Sequence, residues 1–355
     1  MSVGALFYRD RPIFGLDIGF SNLKVMQLSS QKDGTIFVTG YGIASFDPAA
    51  IVEGVIKKPE VVAEAIYALF DKGLVGDITT RRAAMAIPAT RTFSRSMTLP
   101  KLSQSDLSEA VRLEAEQYIP IPIDSLYLDY MVSGQTEDQT EIVAVAVSRK
   151  IVDSYLDLAK ILNIEPVTIE TTINAGSRLF TKSVNSDVPT VLMDFGSIST
   201  DITIFDKNLV VTGTIPGGGD SFNKTISEAL GVTLQEAHII KTKYGLGLSK
   251  KQKEVIEGLR PVLEQLLKET RRMIRYYEER SNTTQKISQV VTMGGGANMP
   301  GLSEYMTNEL RLPVRMCDPW EGLNFADLQP PNSTERSMFV TVAGLALLDT
   351  KELFQ

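Results

Sequence analysis

Two polar turns far apart in the chain, Asp17-Ile18-Gly19-Phe20-Ser21 and Asp194-Phe195-Gly196-Ser197-Ile198-Ser199-Thr200-Asp201, constrain the fold more than any other feature. Each follows an apolar run and leads into another, Leu23 to Leu28 and Ile202 to Phe205, the pattern of strand, tight turn, strand. A glycine in each turn lets the backbone approach a bound group, and hydroxyls flank it. Two such hairpins can hold a nucleotide's phosphates from opposite sides, with the carboxylates of Asp17 and Asp194 holding a hydrated Mg²⁺. The spacing predicts an α/β chain of two lobes, one hairpin opening each.

Composition excludes several alternatives. With 355 residues the chain has room for two core-bearing lobes. A net charge of -7 and the lack of a Lys/Arg-rich block argue against nucleic acid as the main ligand. A single cysteine, Cys317, forbids an internal disulfide and reads as a small, partly buried thiol; a single histidine, His238, makes a His/Cys metal site implausible. No segment reaches the roughly 18 apolar residues that span a bilayer, and no signal-peptide core opens the chain. Ser337 to Leu348 reads as a core-facing helix and the sequence stops seven residues later, without a basic amphipathic anchor. The expectation is a cytoplasmic protein that meets a membrane only through a partner.

The first-lobe core is expected over 1–82, with strands in Ile13 to Leu28 and Thr35 to Ile43 and a helix over Pro59 to Phe70. Residues 83–165 read as a β-β-α-β-β-α module inserted into that lobe, its first helix announced by the capping signal Ser103-Gln104-Ser105-Asp106. A connecting helix is expected within 166–186, the second lobe over 187–336 with a smaller helical part at 217–285, and a returning helix over 337–355. Within Arg260 to Glu279 apolar residues follow helical spacing, and the charges mark a solvated face.

Two glycine turns complete the pattern. Gly217-Gly218-Gly219 leads into a helix for which Asp220 and Ser221 suit the N-cap, and Gly294-Gly295-Gly296 follows the strand Gln289 to Met293, where a planar ring could lie against bare backbone. Gly218 to Thr225 nearly spells a P-loop, but Asn223 stands where the second glycine is required, so the segment reads as a helix start.

In this order, Gly15 to Val25 (GLDIGFSNLKV), Asp194 to Ile202 (DFGSISTDI), Pro216 to Asp220 (PGGGD) and Met293 to Leu302 (MGGGANMPGL) resemble the actin-like ATPase superfamily, which includes FtsA, MreB, actin and sugar kinases. Within it the chain is most similar to the PilM family of type IV pilus assembly. The continuation Leu23-Lys24-Val25-Met26-Gln27-Leu28, the position of the insertion and the lack of an FtsA-type C-terminal helix carry that likeness. The implied fold is the two-lobed actin-like (ribonuclease H-like) fold with an α+β insertion subdomain of the FtsA/PilM type.

The resemblance implies ATP and Mg²⁺ as cofactors. Gly19, Phe20, Ser21 and Asn22 would face the β- and γ-phosphates, with Asp17 and Asp194 toward the metal. Lys24 would either reach the phosphates or cover the surface beside them. Gly196, Ser197, Ser199 and Thr200 would hold the phosphates from the other lobe, Asp201 bracing locally. Gly217, Gly218 and Gly219 would lie beneath the sugar and phosphates, and Gly294, Gly295, Gly296 and Asn298 would flank the adenosine. Relatives usually carry Glu and Lys three residues apart for the ribose and base; here Lys241 is retained but His238 replaces the glutamate, a poorer acceptor for hydroxyls. Glu170 stands where several relatives keep a water-orienting carboxylate, and from the sequence alone reads first as an N-cap of the following helix, Thr171 to Phe180. Turnover is expected to be slow at most.

The implied function is an ATP-binding scaffold whose nucleotide sets its conformation and which binds the N-terminal cytoplasmic tail of a PilN-like inner-membrane protein, in a groove between the first-lobe core and the insertion. Further implied partners are the pilus platform and its motor ATPases, with self-association as a further possibility. An FtsA-like filament former and a small-molecule kinase of the same superfamily are the rivals, and a pilus platform and a type II secretion platform remain unseparated.

Overall fold

The computed structural model describes residues 11–182, 186–280, 285–333 and 335–349. The chain divides into two compact units: unit 1 runs to Ala175 and takes in 325–328 and the chain from Val342, and unit 2 holds 176–324 and 329–341.

In unit 1, β1 (Phe14–Ile18), β2 (Asn22–Ser30) and β3 (Ile36–Ser45) form an antiparallel meander. Two two-residue strands follow, β4 (Ile51–Val52) and β5 (Val55–Ile56), then α1 (Pro59–Ala68) with proline in its first turn, then β6 (Val75–Gly76) against β3. Next, β7 (Arg82–Ile87) pairs parallel with β1. After the insertion, α3 (Arg149–Ile161) leads to β11 (Glu165–Thr171), which pairs parallel with β7. The sheet order is β11-β7-β1-β2-β3.

Alternation along the strands sends Phe14, Leu16, Ile18, Met85 and Ile87 to one face, under Val62 and Ile66 of α1 and Tyr155 and Leu158 of α3. The opposite face carries Ile13, Ala84 and Ala86 against Ala175, Leu345 and Leu348. It is lined by small residues because α9 (Val340–Ala346) lies against it: a Cβ on Gly15 would stand 2.5 Å from the Val342 carbonyl, and one on Gly344 would overlap the Ala175 carbonyl.

The insertion comprises β8 (Thr92–Pro100), α2 (Gln104–Tyr118), β9 (Leu126–Gln135) and β10 (Gln139–Ser148), in a sheet ordered β8-β10-β9. Ser103 caps α2 by accepting from the Asp106 amide, and Leu107, Val111 and Ala115 pack on Ile142, Ala144 and Ala146. The module is smaller than the 83–165 expected from sequence. Strand β7 sits between β1 and β11 in the main sheet and α3 packs on the main core, so the inserted part spans 92–148. An apolar run buried on both faces does not reveal to which sheet it belongs.

Helix α4 (Thr172–Thr181) carries the chain from unit 1 into unit 2. There β12 (Thr190–Phe195), β13 (Ser199–Asp206) and β14 (Asn208–Pro216) form a second meander. Three helices follow, α5 (Gly219–Leu230), α6 (Leu234–Lys243) and α7 (Gln252–Arg280), the last containing Pro261. Then come β15 (Gln289–Met293), α8 (Leu302–Leu310) and β16 (Val314–Met316), in the sheet order β14-β13-β12-β15-β16. Val191, Met193, Ile202 and Ile204 pack with Phe222 and Ile226 of α5 and Leu259, Leu263 and Leu266 of α7. The expected helix at Ser337 is a 3₁₀ turn (Arg336–Phe339) followed by α9. Among the described residues no helix is long and apolar enough to cross a membrane.

Gly344→Ala is expected to lower stability by about 1–3 kcal/mol through overpacking against the Ala175 carbonyl. A fall in the urea midpoint at unchanged slope would register it.

Candidate functional site

The unit 1 hairpin closes when the Gly19 amide donates to the Asn22 carbonyl at 2.8 Å, leaving Phe20 and Ser21 at the tip. The Ser21 hydroxyl makes no hydrogen bond among the described residues. Register places Asp17 opposite Lys24, and the Lys24 ammonium donates to Asp17 Oδ2 at 3.0 Å with both side chains buried. Lys24 therefore lies under the turn rather than over the surface: a Cβ on Gly19 would be 3.9 Å from its Nζ. Asp17 Oδ1 has no hydrogen-bond partner among the described residues.

Register also extends this row. Asp17 pairs with Ala86, and Ala86 with Glu170, so Glu170, Ala86, Asp17 and Lys24 line up across one face of the sheet. Two strand spacings put the Glu170 and Asp17 backbones about 10 Å apart, with only a methyl group in the row between them. The N-cap reading of Glu170 is corrected: β11 continues through Thr171, whose hydroxyl accepts from the Asn174 amide at 3.2 Å and so caps α4.

In unit 2, the Gly196 amide donates to the Ser199 carbonyl at 3.0 Å, closing the second hairpin. Three backbone bonds tie it to the next glycine turn: Gly217 N–H to Ile198 O at 3.0 Å, Gly219 N–H to Gly196 O at 2.9 Å and Asp220 N–H to Ser197 O at 2.9 Å. A Cβ on Gly218 would overlap the Gly196 carbonyl, so only glycine permits the approach. The hydroxyls of Ser197 and Ser199 make no hydrogen bond among the described residues, whereas Thr200 is buried and donates to the Gly217 carbonyl at 3.0 Å. Thr200 thus braces the turn instead of presenting its hydroxyl to a ligand. Helix α5 starts at Gly219 with Gly218 at its N-cap and no side-chain cap, so Asp220 lies in the first turn and not at the cap.

Lys241 is buried, 7% exposed, and its ammonium donates to the Gly219 carbonyl at 2.8 Å. Among the described residues no carboxylate pairs with it; burial lowers its pKa, against the pull of Asp220. His238, one turn earlier, is exposed, and desolvation followed by the Lys241 charge lowers its pKa, keeping the ring neutral at pH 7. Glu236 forms a capping box with Thr233 at the start of α6 and is committed there.

The third glycine turn packs on the same hairpin. Gly294 has φ +82°, and a Cβ there would overlap Asp194 Oδ1; a Cβ on Gly296 would stand 2.8 Å from that of Phe195. Ser337, read from sequence only as part of a core helix, holds this turn. Its carbonyl accepts from the Gly294 amide at 3.1 Å and its hydroxyl donates to the Gly294 carbonyl at 2.6 Å. Gly295 meets only a Met338 carbon at 3.5 Å, and the buried Asn298 Nδ2 has no hydrogen-bond partner among the described residues. Asp201, expected as a local brace, accepts from the Thr214 hydroxyl, and burial pushes its pKa up to about 6. Neither Ser337 nor Thr214 leaves a local signal, because each meets its partner through strand register or chain return.

Unit 2 therefore gathers Asp194, the Gly196–Ser199 hairpin, Gly217–Gly219, Lys241 and Gly294–Asn298 into one contiguous region. Unit 1 gathers Asp17, Gly19–Asn22, Lys24 and Glu170. Among the described residues no group of three or more His, Cys, Asp or Glu could cage a metal. In unit 2 the backbone amides, the serine hydroxyls and the buried Lys241 ammonium suit an anionic group such as a phosphate ester.

The family model for type IV pilus assembly protein PilM matches residues 15–350. Cell division protein FtsA of Bacillus subtilis (strain 168) is 24% identical over 347 residues, covering 86% of this chain and 78% of FtsA. The solved PilM-PilN type IV pilus biogenesis complex matches with TM-score 0.81 at 23% identity, over 94% of this chain and 97% of that one. MreB 5 of Spiroplasma citri bound to AMPPNP matches with TM-score 0.51 at 14% identity, over 94% and 95%. These structural likenesses establish the actin-like ATPase fold.

The Asp201 pKa makes a pH test possible. A carboxyl raised to about 6 when folded, from 3.8, binds its proton more tightly in the folded chain. Its burial penalty is full above about 6 and fades as pH falls toward 3.8. Asp201→Asn should thus stabilise the protein at pH 7.5 by up to about 3 kcal/mol, and by little at pH 4. Urea unfolding at both values checks this.

Proposed function

The chain belongs to the PilM family of type IV pilus assembly proteins, and from that premise we propose that it is an ATP-binding scaffold at the cytoplasmic side of the inner membrane. It binds the N-terminal tail of a PilN-like protein, and bound nucleotide sets its conformation. The observation that carries the nucleotide half is Lys241, a buried ammonium with a single carbonyl partner beside a glycine turn that admits no side chain. Such a cation gains most from an anion.

The residues fit that ligand. Ser21, Ser197 and Ser199 offer unspent hydroxyls, Gly295 leaves open backbone, and Asn298 Nδ2 is an orphaned donor. In this reading Gly19, Phe20, Ser21 and Asn22 contribute from unit 1, and Gly196, Ser197, Gly217, Gly218, Gly219 and Lys241 from unit 2. Gly294, Gly295, Gly296 and Asn298 take the adenosine. Asp17, through its uncommitted Oδ1, and Asp194 orient the waters of Mg²⁺, which supplies charge neutralisation for the phosphates. Lys24 exchanges Asp17 for phosphate oxygen. Glu170, in the same row as Asp17, orients water, and hydrolysis is slow.

For the tail, support comes from the sheet face of the insertion that α2 leaves uncovered. Register places Met131 beside Val143 and Tyr127 beside Val147 on that face, with Val147 reaching the unit 1 core. Met131 is 54% exposed. A tail lying there would bridge insertion and core.

Calorimetry with a synthetic N-terminal tail of a PilN-like protein and with Mg-ATP separates the two halves. Lys241→Met should weaken Mg-ATP binding about tenfold to a hundredfold and spare the tail. Met131→Asp should abolish tail binding and spare Mg-ATP. A tail bound equally well by Met131→Asp lies elsewhere, and Mg-ATP affinity unchanged in Lys241→Met removes that lysine from the site.

A further inference from the structure

The charges of helix α7, read from sequence as a solvated face, line a surface groove of about 560 Å³ in unit 2. Lys268, Arg271, Arg275 and Lys286 surround a floor that includes Ile274 and Leu312, and Glu278 is the single carboxylate of the lining. The lining itself sets four cations against one anion, within a chain of net charge -7. Arg271 is fixed by donating to the Glu309 carbonyl at 2.7 Å and is paired with that residue's carboxylate at 3.7 Å; Lys268, Arg275 and Lys286 make no ion pair among the described residues. An apolar floor rimmed by unspent cations calls for an apolar knob flanked by carboxylates.

The chain carries that complement on its own insertion. On the exposed side of α2, Asp106, Glu109, Leu113 and Glu116 follow one another at steps of three, four and three residues, which keeps them on one face. Leu113 is 55% exposed; Glu109 makes no ion pair among the described residues, and Glu116 has only the exposed Arg112 at 3.7 Å, a weak pair on the helix surface. Lys268, Arg271, Arg275 and Glu278 stand at the same steps on α7, so both ridges extend about 15 Å.

We propose that the basic groove of unit 2 takes helix α2 of a second copy of this chain. Leu113 seats on the apolar floor, and the helices run antiparallel with Glu116 opposite Lys268 and Glu109 opposite Arg275. The one mismatch is Asp106 against Glu278, where Lys286 is the groove's remaining cation. Donor and acceptor surfaces differ, so the contact is heterologous and repeats from copy to copy. It is independent of the tail reading, which uses the other face of the insertion.

Sedimentation equilibrium of the full chain without nucleotide tests this. The mass should rise above 39.0 kDa with concentration at about 50 mM salt and return toward it at about 500 mM. Arg275→Glu and Glu109→Lys, both at exposed positions, should each weaken association at least about tenfold, because like charges then oppose across the contact. An equimolar mixture of the two should recover dimers, since one variant keeps an intact helix and the other an intact groove. The double variant in one chain should regain self-association. A monomer at low salt, an Arg275→Glu chain that associates like wild type, or a mixture that stays monomeric would each overturn the proposal.

Discussion

The buried ion pair between Lys24 and Asp17 is the interaction on which the first hairpin rests. Placing either charge alone under the Gly19 turn would be prohibitive, and the pair at 3.0 Å makes both tolerable there. It also holds two functional groups in one row of the sheet with Glu170. Unit 2 solves the same problem differently: Lys241 is buried beside the Gly219 carbonyl with no carboxylate partner among the described residues, which leaves its surroundings electropositive. Unit 1 is locally neutral at its buried lysine, whereas unit 2 keeps a buried cation with no carboxylate partner among the described residues.

Backbone packing carries the rest of unit 2. Gly218 lies where any Cβ would enter the Gly196 carbonyl, and Gly294 where one would enter the Asp194 carboxylate. Three amide-to-carbonyl bonds then join hairpin and turn without side chains. A surface built from main-chain donors has few rotamers to freeze when a ligand binds, which lowers the entropic cost of ordering it.

Much of this was legible in the sequence because it is local. Alternating apolar runs around Gly19 and Gly196 specify hairpins, and Ser103 with Asp106 specifies the start of α2. What depends on register or chain return was not legible. Lys24 could be read two ways until pairing set it opposite Asp17. Glu170 passed for an N-cap because the sequence does not show that β11 runs one residue further, giving the cap to Thr171. Strand β7 passed for part of the insertion because its residues are buried on both faces. Ser337 was hidden in an apolar segment, since its partner Gly294 lies 43 residues away.

The insertion buries only part of its apolar surface. Three strands and one helix can bury only one face of their sheet, and α2 covers the face of Ile142, Ala144 and Ala146. The opposite face, with Met131 and Tyr127, meets unit 1 through Val147 and through the Tyr127 hydroxyl, which donates to Asp153 of α3 at 3.0 Å. The outer side of α2 keeps Leu113 in water, although a buried leucine would contribute about 2 kcal/mol. A fold that leaves both an apolar sheet face and an apolar helix ridge uncovered forgoes stability at two separate surfaces. Because the sheet lies between them, occupying one need not obstruct the other.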